Sequence, residues 1–123
     1  EIYRVLTVGG IALITIPQMN ELHDEPHDYY RYTKYGMRQI FESAGFKTVF
    51  EEQRGGFFST VAQMRIRYLI DRLRLYHRPV LAKLFGLPIK IYGKWALFRD
   101  SKDKSIANRK HTIGWCFVFE KEK

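Results

Sequence analysis

Ile11-Ala-Leu-Ile-Thr-Ile-Pro17 is the stretch on which the fold turns. It is a continuous apolar run, rich in β-branched residues and free of charge. Such a run suits a strand buried on both faces, as in a parallel sheet. Pro17 ends it. Before it, Glu1–Leu6 reads as the tail of a helix, which Thr7-Val-Gly-Gly10 stops. After it comes a polar loop and then a helix with clear ends. Thr33 is suited to the N-cap, and Met37, Ile40, Phe41 and Ala44 fall at i, i+3, i+4 and i+7 on one face. Gly45 is the expected stop, with Phe46 packing back. Lys47–Gln53 then reads as a second strand.

Beyond it, Arg54-Gly-Gly-Phe-Phe58 is a turn, and Thr60 with Gln63 has the spacing of a capping box. A basic amphipathic helix follows to about Tyr76, with Ala62, Ile66, Leu69, Ile70 and Leu73 on one side. Pro79 and Pro88 punctuate a further apolar, basic segment, helical or irregular, through Phe98. Asp100–Lys110 reads as a loop. Thr112–Glu120 is a last strand of strong β propensity. The order is helix end, strand, loop, helix, strand, helical insert, strand. It places the chain in the α/β class as a single partial domain. Residues 1–53 form a strand-loop-helix-strand core, 54–110 a basic insert and 111–123 the final strand.

Charge separates these parts. Residues 1–53 carry five Lys or Arg against eight Asp or Glu; residues 54–110 carry fourteen against three. Together with a balanced tail this gives the net charge of +8. A basic field of that size attracts phosphate on lipid, nucleic acid or a nucleotide-linked substrate. No helix-turn-helix, zinc or stacking-sheet motif selects nucleic acid. The lone Cys116 cannot form an internal disulfide and reads as a packing residue of the last strand. Without a signal peptide or spanning run, cytoplasm is the default compartment, with the membrane periphery open to the basic insert.

The densest chemistry lies in His23-Asp-Glu-Pro-His-Asp-Tyr-Tyr-Arg-Tyr-Thr33. A loop after a strand in an α/β sheet is a usual place for ligands. His23 and His27 stand four apart, as zinc ligands do on a helix. Pro26 argues against a helix through them, and no metal site is expected. Asp28, Arg31 and Thr33 have an alternative use, tying down the loop and capping the next helix.

Three blocks together resemble the second half of a class I S-adenosylmethionine (SAM)-dependent methyltransferase. Glu1-Ile-Tyr-Arg-Val-Leu-Thr-Val-Gly-Gly10 followed by the Ile11 run is similar to the family's E-x-x-R-V-L-x-P-G-G and strand, with Val8 in place of the proline. Tyr32-Thr-Lys-Tyr-Gly-Met-Arg-Gln-Ile-Phe-Glu-Ser-Ala-Gly-Phe46 resembles its R-Y-T-x-x-G-L-x-x-L-L-x-x-A-G-F. Ile113–Lys121 resembles its last strand.

The resemblance implies a partial Rossmann-like sheet made of the fifth strand, the helix after it and the last antiparallel pair. About 55 residues replace the usual short connection of that pair. It also implies SAM in the full-length family but none for this chain alone. The Gly-rich turn and ribose-binding acid of the donor half are missing, and Gly9-Gly10 and Gly55-Gly56 are not that fingerprint. The expected product is a C-terminal, acceptor-side portion, inactive by itself, as a natural truncation or a fragment. In it, His23 or His27 is the candidate base for an acceptor hydroxyl or amine. Asp28, Tyr30, Arg31 and Tyr32 are the candidate acceptor-binding residues, with Tyr29 beside them.

A different class of function stays open. The insert, with Arg65, Arg67, Arg72, Lys83, Lys90 and Lys94 among its cations, can serve a non-catalytic module that binds a partner subunit or an anionic membrane. It can equally be a lid over an anionic acceptor, or a cap whose arginines are merely solvated. The apolar edge of the 11–16 strand, without charged guards, is expected to seek a partner in a homodimer or to be covered by the chain itself.

Overall fold

A computed structural model describes all residues, 1–123. Its elements are α1 (Ile2–Val5), β1 (Ile11–Pro17), α2 (Lys34–Ser43), β2 (Phe46–Arg54), α3 (Phe57–Arg72), a 3-10 turn (Leu75–His77), α4 (Pro79–Lys102), α5 (Ile106–Arg109) and β3 (Gly114–Lys121). The sheet order is β1-β3-β2, and β3 runs antiparallel to both neighbours. β1 and β2 therefore run parallel to each other. The connection through α2 carries the chain across one vacant strand position, and β3 later fills it.

The register sets the faces. Opposite residues of an antiparallel pair share a face. Ala12, Ile14 and Ile16 therefore lie on the same side as Phe119, Phe117 and Trp115. Met37 and Phe41 of α2 close over this side and, with Phe46, complete the core. Phe119 is its hub, with ring centroids 4.1 Å from Phe41 and 5.2 Å from Phe117. Thr33 caps α2, its hydroxyl accepting from the Gly36 amide at 3.2 Å. Gly45 follows at φ +94, and the Tyr3 ring sits 2.9 Å from where its Cβ would be. Helix stop and ring packing thus both require glycine there.

The other side of the sheet is open. Ile11 and Leu13 are 63% and 67% exposed, Phe50 is also exposed, and Cys116 is half-buried beside them rather than buried. The Ile11 run is thus covered on one face only, contrary to the expectation from its composition. β1 is also an edge, bonded to β3 alone. On α2, Ile40 and Ala44 are exposed, so the buried stripe narrows to Met37 and Phe41.

The insert is an antiparallel helical hairpin. Phe58 meets Trp95 at 6.1 Å, and the Arg65 guanidinium donates to the Tyr92 hydroxyl at 3.3 Å. Three sequence expectations change here. α3 begins at Phe57, not at a Thr60–Gln63 capping box. Pro88 lies inside α4 and does not break it. The region expected to be a loop holds the end of α4 and the whole of α5.

One arrangement accounts for the early start of α3. The Asp100 carboxylate accepts from the amides of Gly56 (2.8 Å), Phe58 (3.0 Å) and Ser59 (3.0 Å). Asn108 Oδ1 accepts from Phe57 at 2.7 Å. The amides that a helix leaves unpaired at its N-terminus are thus satisfied by side chains from the far end of the hairpin. The base of the hairpin is closed by Thr112, whose hydroxyl donates to the Arg54 carbonyl at 3.1 Å. No helix is long and apolar enough to cross a membrane.

Candidate functional site

Because β1 and β2 are parallel, their carboxyl ends lie at one end of the sheet, where β3 begins. A cleft of 760 Å³ opens there, bounded by the start of α2, by β2 and by the segment from Asp100 to Lys110. Gln18, Lys34, Glu51, Gln53 and Trp115 line its sheet side. The Trp115 indole donates to Gln18 Oε1 at 2.7 Å, fixing both side chains. Lys34 Nζ lies 3.2 Å from Glu51 and over the rings of Tyr35 (5.0 Å) and Trp115 (5.4 Å). Arg38 also pairs with Glu51. The cleft thus joins an aromatic wall to a cation and a carboxylate held by two cations. Such a lining suits a polar ligand with an apolar face.

Asp28 and Arg31 form the knot of the 18–33 loop, a bidentate pair reinforced by the His23 amide, which donates to Asp28 Oδ2 at 3.0 Å. Arg31 also donates to the Glu21 carbonyl at 3.1 Å. The Arg31 guanidinium, aided by the His23 amide, holds the Asp28 carboxyl down at about 2. Arg31 is committed to this knot rather than offered to a ligand. His27 Nδ1 lies 3.0 Å from the Tyr29 hydroxyl. Tyr30 and Tyr32 stack at 5.8 Å, with Tyr30 exposed.

The loop is also pinned to α3. Gln63 donates to Asn20 at 2.9 Å, and Arg67 pairs with Glu21 at 3.3 Å. A smaller cleft of 340 Å³ lies at this junction, lined by Met64, Tyr68 and Arg72 among others. The structure therefore brings loop and insert together at the loop's base. None of His23, His27, Asp28, Tyr30, Arg31 and Tyr32 lines either cleft. The residues that do line the larger one come from just past β1, from the end of β2, from the start of β3, from the start of α2 and from the segment between Asp100 and Lys110. The one available signal was position, the end of the sheet where β1 and β2 finish and β3 begins, rather than residue type. No group of three His, Cys, Asp or Glu side chains is placed to hold a metal ion.

Neither glycine pair forms a cradle for a nucleotide. Gly9 turns the chain out of α1. At Gly56 a Cβ would lie 2.5 Å from Asn108, and the amides that could bind a phosphate at the start of α3 are held by Asp100 and Asn108. The start of α3 is thus closed to a phosphate by the chain's own side chains. No protein-family model and no curated protein matches this chain.

Proposed function

We propose that this chain is the acceptor-side portion of a SAM-dependent methyltransferase, with the donor site supplied from outside it. The observation that carries the reading is the sheet. A helix-linked parallel pair with an antiparallel last strand matches the elements that the sequence resemblance implies. The free edge of β1 is where further parallel strands would join. In this reading the 760 Å³ cleft at the carboxyl ends receives the acceptor. Trp115 and Tyr35 supply its apolar wall, and Lys34 and Glu51 its polar anchors. His23 and His27, on the exposed loop that runs between the cleft residues Gln18 and Thr33, are the candidate bases for the acceptor's proton.

Reading the coding frame upstream of Glu1 tests this. An apolar strand followed by a Gly-rich turn, with an acidic residue closing the next strand, is expected. A frame with neither overturns the reading. Calorimetric titration of the 123-residue chain with SAM should give no binding heat; a micromolar Kd would refute the placement of the donor site outside it.

A further inference from the structure

α4 carries two apolar stripes where a surface helix needs one. Leu81, Phe85, Tyr92 and Ala96 form the stripe turned toward α3, and they are buried or half-buried. The second is made of Val80, Leu84, Leu87, Ile91, Trp95 and Phe98, and every member is exposed, from 48% at Trp95 to 79% at Val80. These six follow one another at spacings of three and four, so they share a face. At 1.5 Å rise per residue the stripe is about 27 Å long. Trp95, at its margin, is partly covered by Phe58 of α3, 6.1 Å away, and the other five are each more than half exposed.

Charge is arranged along this stripe. Lys83, Lys90 and Lys94 recur at i, i+7 and i+11 and form a single row beside it. Arg74 and Arg78 precede the helix; Arg99 and Lys102 close it. Asp100 is the one acid of α4 and is spent on the cap of α3. The exposed face thus offers hydrocarbon flanked by cations with no opposing acid. Lysine stems can run along apolar surface while their ammonium groups reach an anionic layer. Trp95, stacked on Tyr92 at 5.8 Å, has the half-exposed position that an interfacial indole takes.

We propose that α4 lies in the plane of an anionic membrane surface, with this stripe in the acyl boundary and the lysine row at the phosphates. Apolar burial and headgroup attraction act on the same face, which is the requirement for such a helix. The inference stands independently of the acceptor-side reading.

Co-sedimentation of the chain with phosphatidylcholine vesicles, with and without phosphatidylglycerol, tests it. Binding only to the phosphatidylglycerol vesicles is expected, weakened by salt and accompanied by a blue shift of emission that W95F removes. Replacing Lys83, Lys90 and Lys94 together by Gln should weaken partitioning roughly a hundredfold. The charge-neutral pair Leu87→Ser and Ile91→Ser, on an exposed face, should weaken it to a similar extent, roughly a hundredfold, with helix content unchanged. Equal binding to both vesicle types overturns the proposal. So does wild-type binding by the Ser pair, which would leave net charge as the sole cause. Absence of binding to the phosphatidylglycerol vesicles overturns it as well, whether the stripe is then solvated or buried in a self-associated state.

Discussion

Asp100 does for α3 what a helix's own N-cap residue ordinarily does, but from 44 positions away. Burial alone would push its carboxyl up; the hydrogen bonds from Ser59, Gly56 and Phe58 outweigh it, and the net shift is downward from 3.8. A carboxyl lowered in the folded state contributes stability above its unfolded value, and that contribution is lost as pH falls through the folded value. Wild type should therefore lose helix signal more steeply than Asp100→Asn as pH falls below about 4 in an acid titration followed by circular dichroism. Asp100→Ala leaves several helix-start amides unpaired and should cost on the order of 2 kcal/mol in a urea melt. Asp28 should titrate at about 2 by carboxyl NMR, and Arg31→Gln should move it up toward its usual range. The contrast with Thr33 shows what sequence can reveal. Thr33 caps the helix that begins at the next residue, so its role is visible locally. Asp100 and Asn108 act only once the hairpin has closed, and no local spacing announces them.

Among the elements, β1, α2, β2 and β3 were legible because their signals are local: an apolar run, a cap, a stop glycine, alternation. Their environment was not. The Ile11 run has the composition of a strand covered on both faces, yet coverage depends on what else packs there. α4 resisted reading for a different reason. Its two apolar stripes blur the helical periodicity, and Pro88 signals a break. An interior proline withdraws one amide donor and costs a helix about 3 kcal/mol relative to alanine. Pro88 is exposed and outside the buried stripe, so packing of Phe85, Tyr92 and Ala96 carries the helix across it. Pro88→Ala should stabilise the chain by about 1–3 kcal/mol, read as a rise in Tm. Phe119→Ala removes the ring that stacks on both Phe41 and Phe117 and should cost about 3–5 kcal/mol by denaturant melt.

At the scale of the molecule, the cleft could not be read from sequence because its walls come from distant segments; Gln18 and Trp115 are 97 positions apart. The free β1 edge and the open face beside it are a second whole-molecule property. We expect pairing of β1 with a second copy, a concentration-dependent dimer in sedimentation velocity that Leu13→Lys weakens. A monodisperse monomer at high concentration would contradict it. The clasp between Thr112 and Arg54 bears on chain entropy. It joins points 58 positions apart, so the whole hairpin is, for the sheet, a closed loop. The entropy of closing a loop grows only with the logarithm of its length, about 0.6 kcal/mol per doubling. Relative to a four-residue turn, an unstructured loop of this span would cost the β2–β3 pairing only roughly 2 kcal/mol more. The hairpin repays part of that through its own cap and core. The sheet is therefore nearly indifferent to what hangs between these two strands, and a tight turn grafted from Arg54 to Thr112 should leave it folded.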